Sequence, residues 1–208
     1  MSNKMSLNKL KAKVMAAHYE VEKNQPRDKT KRRISRQIRG TGYELQKLHR
    51  GVAHFTKDGD HLITVKGTDP TNTKDLLSDV KLGLGSSAGD SQFKEREKQI
   101  EKMVKRLDGR VDLVGHSLGG SIVTAAMVNN KLIRDKVTHA TTFNPGYTKL
   151  FHRELVKDMP KAVRRELNEK ITHVRTKNDV VSEQVKGGSV GAVETVEDSG
   201  HSINNFLD

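Results

Sequence analysis

The chain has 208 residues, 33% hydrophobic and 31% charged, with a net charge of +12 and no cysteine. That length supports one domain with a sizeable core and is short for two, and the missing cysteines exclude disulfides, zinc–thiolate sites and a thiol nucleophile. Residues 1–50 carry 14 Lys and Arg against 4 acidic residues, while the other 158 carry 24 against 22, so the basic excess belongs to the N-terminal segment.

Leu7, Leu10, Val14, Ala17 and Val21 recur at three- and four-residue steps, which predicts a helix over 7–23, ended by Asn24-Gln25-Pro26. No apolar run of about seven residues marks a signal peptide there. Nothing in the chain approaches the roughly 18 apolar residues of a membrane span. A cytoplasmic or non-secreted location is the default expectation, with peripheral membrane association open. The densest basic run holds Lys29, Lys31, Arg32, Arg33, Arg36 and Arg39. As a short helix or a flexible arm, it would be drawn to phosphate on an anionic membrane or on nucleic acid. A solvated helix face is the plainer reading.

Residues 51–56 and 61–66 are rich in β-branched and aromatic side chains and read as a hairpin around Lys57–Asp60. Residues 69–90 read as a long excursion with a short helix near Leu76–Leu84. Phe93, Ile100, Met103, Val104 and Leu107 define one face of a helix over 92–107. Strands are expected at 110–114, 137–143, 171–176 and 192–196. Helical stretches are expected at 121–128 and at 148–169, the latter interrupted near Pro160. This alternation predicts an α/β fold with a mainly parallel sheet covered by helices on both faces. A basic helix and arm over 1–42 would precede a hydrolase-type domain over 43–208.

Gly115-His116-Ser117-Leu118-Gly119-Gly120 lies between the strand at 110–114 and the helix at 121–128. That is the setting of a G-x-S-x-G nucleophile turn in an α/β-hydrolase sheet. The turn is so tight that Gly115 and Gly119 are required beside Ser117, and the backbone N–H of Leu118 faces the place where an oxyanion forms. A serine hydroxyl needs a base and an orienting acid, in the chain order Ser, acid, His. Two downstream acids lie at strand ends, Asp179 and Asp198. Asp179 follows its strand by two residues and is preferred, because Asp198 stands only three residues before the favoured histidine. Among His139, His152, His173 and His201, the first and third fall inside strands and His152 precedes the acid. His201, after the last strand and behind Gly200, is the expected base. His116 points away from the serine and reads as structural.

Four stretches resemble the class 3 lipases, the fungal-lipase-like α/β-hydrolases: Leu62–Thr68, Lys74–Val80, Gly115–Gly120 and Thr141–Gly146. The resemblance covers about 43–206, in a minimal version of the family. Lys66 stands where the family has arginine, and Leu76 where it has tryptophan. The resemblance implies a lipase- or phospholipase-type carboxyl-ester hydrolase with Thr68 as second oxyanion donor and 69–79 as a lid. It implies no metal or other cofactor. The rival reading is a nucleic-acid-associated or assembly protein carrying a hydrolase-fold body. The basic run supports it, but no aromatic residues are interleaved for base stacking.

Overall fold

The computed structural model describes residues 6–19, 27–49, 51–67, 87–146, 149–179, 181–182 and 190–207. The helices are α1 (Leu7–Tyr19), α2 (Arg27–Gln37), α3 (Ser87–Val104), α4 (Leu118–Asn129), α5 (Lys131–Lys136), α6 (Lys149–Val156) and α7 (Lys161–Lys170). The strands are β1 (Glu44–His49), β2 (Val52–Lys57), β3 (Asp60–Val65), β4 (Val111–His116), β5 (His139–Phe143), β6 (Ile171–Lys177) and β7 (Ala192–Ser199). A short 3-10 turn, Ile203–Phe206, closes the chain. Among the described residues no helix is long and apolar enough to cross a membrane. The expected short helix near Leu76–Leu84 lies outside the described residues.

The strands form one seven-stranded sheet in sequential order, β1 to β7. β1, β2 and β3 pair antiparallel, with Asp58 and Gly59 at positive φ turning β2 into β3, and β3 through β7 pair parallel. Strand β1 was not foreseen, since Glu44-Leu-Gln-Lys-Leu-His has only two apolar residues and mostly exposed positions. An edge strand needs little burial to hold its register. The interruption at Pro160 is a boundary between helices: the proline caps α7, where its missing N–H breaks no intrahelical bond.

Sequential parallel order has a consequence for the layers. Each crossover from β3 to β6 steps to the next strand in one direction. Right-handed crossovers of that kind put all their helices on one face. Ile100, Val104, Ile122, Ala126, Ile133 and Leu167 from α3, α4, α5 and α7 accordingly pack in one apolar cluster with Ile63, Val65 and Leu113. The opposite face would be bare without the N-terminal segment. Ala12 and Met15 of α1, Ile34 of α2 and Ile38 just after it cover it, together with Ile203 and Phe206, over Phe55, Leu62, Phe143 and Val174. The basic run is therefore a helix with one buried side.

Lys11 pins α1 down. It is 1% exposed, and its Nζ lies 2.9 Å from Asp112 Oδ2 and donates to Thr141 Oγ1 at 3.2 Å. Burial pulls its pKa below the ordinary lysine value, and the Asp112 carboxylate opposes that shift.

Candidate active site

Strand β4 is buried throughout and delivers the chain to Ser117 at the sheet's carboxyl end. Both flanking glycines are sterically required. A Cβ on Gly119 would sit 2.1 Å from Val65 O, and one on Gly115 would sit 2.5 Å from Gly119 O. Between them Ser117 takes φ 55° and ψ −129°, a conformation worth about 1–3 kcal/mol of strain for a residue with a Cβ. Its backbone is held from both sides: its N–H donates to Phe143 O, and its carbonyl accepts from Gly120, Ser121 and Gly146. As the first residue of α4, Leu118 has an N–H with no acceptor inside the helix.

The end of β3 closes against this turn. An ideal Cβ on Gly67 would lie 3.0 Å from Leu118 N and 3.1 Å from Ser117 Cβ, so a side chain there would press the two backbones apart by a few tenths of an ångström. The next residue, Thr68, and the expected lid at 69–79 lie outside the described residues.

Asp179 and His201 meet. His201 Nδ1 donates to Asp179 Oδ1 at 3.1 Å and Oδ2 at 3.2 Å, with both side chains buried. The carboxylate also accepts from the N–H groups of Val181 and Ser182. Burial alone would raise the Asp179 carboxyl, but the His201 ring and Ser182 outweigh it and hold it below its ordinary value. Bound at Nδ1, the ring keeps Nε2 as its remaining acceptor. His201 Nε2 and Ser117 Oγ are both buried with no hydrogen-bond partner among the described residues.

The loop bearing His201 is held at two successive carbonyls. Gly200 O accepts from Asn144 Nδ2 at 3.0 Å, and His201 O accepts from His116 Nε2 at 2.8 Å. Asn144 is buried at φ 42°, and its Oδ1 accepts from Thr176 N, which ties the ends of β5 and β6 to that loop. Asn144 stands in the TTFNPG stretch, and an asparagine closing a strand before Pro-Gly was the available signal for its left-handed backbone. His116 is a hub, with Tyr19 Oη 2.8 Å from its Nδ1. Burial drives its pKa down to about 3, helped by the nearby His201, so the ring is neutral.

The other candidates lie elsewhere. His173 is buried between Thr142 Oγ1 and Val190 O, and His139 starts β5 at the end of the sheet away from Ser117. His152 is on α6, and Asp198 is exposed on β7. Among the described residues no three His, Asp or Glu side chains gather as a metal site requires.

A search of curated proteins finds no match. A family model described as "Phospholipase-like: Tle-like phospholipase domain" matches residues 16–202. The match begins inside α1, upstream of the resemblance at 43–206, and runs through the serine turn, Asp179 and His201. The chain belongs to the Tle-like phospholipase domain family.

Proposed function

We propose that the chain is a serine carboxyl-ester hydrolase acting on the acyl esters of phospholipids, by the triad scheme of the class 3 lipases it resembles. Ser117 Oγ attacks the ester carbonyl carbon while its proton passes to His201 Nε2. The N–H of Leu118 and, from the resemblance, that of Thr68 stabilise the oxyanion, each for about 3 kcal/mol. Collapse expels the alcohol, which takes the proton back from His201. A water molecule then attacks the acyl-enzyme with His201 again as base, releasing the fatty acid. Asp179 stays ionised throughout, fixing the imidazole tautomer and stabilising its cation.

One observation carries this reading. The two atoms that must exchange a proton, Ser117 Oγ and His201 Nε2, are buried without hydrogen-bond partners among the described residues, while Nδ1 of the same ring is fixed by Asp179. Buried polar atoms are otherwise almost always satisfied. The decisive experiment compares the chain with Ser117→Ala on a phospholipid and on a soluble short-chain ester. The expected loss is about 10^4-fold or more in kcat on both substrates. Undiminished hydrolysis in the variant would remove the reading.

For a partner surface we propose anionic lipid at α2. Lys29, Arg32, Arg36 and Arg39 are exposed at steps of three and four, opposite buried Thr30, Ile34 and Ile38. A cationic stripe on a rigid helix fits a phosphate surface, with about 1 kcal/mol per well-placed cation.

A further inference from the structure

Tyr19 is the residue that joins the N-terminal helix to the candidate catalytic groups. Its hydroxyl touches two residues that flank them. Gly67 N donates to Tyr19 Oη at 2.9 Å, and Tyr19 Oη lies 2.8 Å from His116 Nδ1. The directions follow from the partners. A carbonyl only accepts, so His116 Nε2 must carry the proton it gives to His201 O at 2.8 Å. In a neutral imidazole Nδ1 is then an acceptor, and the tyrosine must donate to it. The rings support the same arrangement, with Tyr19 edge-on to His116 at 5.3 Å and His116 against His201 at 5.1 Å.

We infer that Tyr19 and His116 are positioning residues, a directed chain from Gly67 N–H through Tyr19 and His116 to the His201 carbonyl that aligns oxyanion side and base around Ser117. The chain joins four separate segments: the end of β3, the end of α1, the end of β4 and the loop after β7. Gly67 lies against the serine turn, where a Cβ added to it would meet Ser117 Cβ and Leu118 N. His201 is held at Nδ1 by Asp179 and at its carbonyl by His116. Without the phenol hydroxyl, Gly67 N–H loses this acceptor and His116 Nδ1 loses this donor. Helix α1 is on this account part of the catalytic unit.

The inference rests on the triad reading, and the test separates the two. Tyr19→Phe keeps the ring and its packing and removes only the hydroxyl. Its kcat on a soluble ester should fall about 10-fold with KM within about twofold, as expected when only transition-state geometry is disturbed. The rate of phosphonylation by an alkyl phosphonate should fall by the same factor, while the end point stays at one label per molecule. Ser117→Ala should take no label, and labelling of that variant would sink the triad reading rather than this one. Unchanged rates in Tyr19→Phe would overturn the inference, as would a loss that only tracks the number of labelled sites. Should Tyr19→Phe fail to fold, nitrogen-15 spectra of the wild-type imidazoles decide. His116 protonated at Nε2 is required, and protonation at Nδ1 instead would overturn the chain.

Discussion

Ser117 bears its strain in the backbone, at φ 55°, whereas its hydroxyl makes no hydrogen bond among the described residues. Removing the hydroxyl should therefore spare stability and remove only chemistry. Asp179→Asn is different in kind: it keeps the shape but favours the wrong His201 tautomer. A drop of about 10^4-fold in kcat on a soluble ester is expected, with the fold intact by circular dichroism. Buried imidazoles lower stability in acid, His18 and His116 most strongly. Burial, aided by the Lys66 and Arg96 charges, drives His18 down to about 3, and burial, aided by His201, does the same to His116. Unfolded, both take up protons near pH 6.5. Between these values the unfolded chain binds more protons, so stability falls as pH drops. These two rings alone give a slope approaching two protons, about 2.7 kcal/mol per pH unit, and His54, held down to about 4 by burial and by the neighbouring His61, adds to it. The lowered Asp179 carboxyl adds to this further down, from the pH at which the unfolded carboxyl takes up its proton to the pH at which the folded one does. Urea midpoints from pH 7 to pH 4 read the slope directly, and a flat profile would contradict neutral burial of these rings.

Among the elements, α1 and α2 changed meaning most between sequence and fold. Their charge suggests a solvent-exposed arm, yet Ala12, Val14, Met15 and Ile34 are fully buried against the sheet. Truncation of Met15 or Ile34 to alanine should cost about 2–5 kcal/mol, measured by denaturant unfolding. Lys11→Met should cost about 3–5 kcal/mol, because Asp112 would remain buried beside only the half-exposed Arg110. Pairing it with Asp112→Leu should recover much of that loss, and additive losses would mean that the two side chains are not coupled. Helix α5 was missed for a different reason. Its six residues, Lys-Leu-Ile-Arg-Asp-Lys, are too few to display a period, and it is fixed by the Asn130 cap on Ile133 N. Helices α1 and α3 were legible from a helical spacing of apolar residues, and α4 from an unbroken apolar and small run behind the serine turn.

For the whole molecule, the order of the strands governs what the N-terminal segment can be. Deleting residues 1–40 would strip one face of the sheet, so the expected result is an insoluble or unfolded chain. A cleaner probe of the α2 stripe reverses Lys29, Arg32, Arg36 and Arg39 to glutamate. Binding to anionic vesicles at low salt should fall by at least about 100-fold, given about 1 kcal/mol per cation, and hydrolysis of a soluble ester should not change. Equal binding by the reversed variant, or a preference of the wild type for nucleic acid over vesicles in salt titrations, would assign the stripe another partner.

The α/β class, the serine turn and the chain order expected of its partners were readable in the amino-acid sequence alone. Those rest on local rules: two periodicities, the glycines a tight turn demands, and a chain order that the nucleophile turn carries with it. The meeting of acid and histidine, preferred in the sequence as Asp179 and His201, is seen in the folded chain, where Asp179 lies 3.1 Å from His201 Nδ1. The fold alone put Asn144, His116 and Tyr19 around that pair. No spacing in the chain links residue 19 to residue 116. Their contact exists because one-directional crossovers leave a sheet face open, and α1 is the element that fills it.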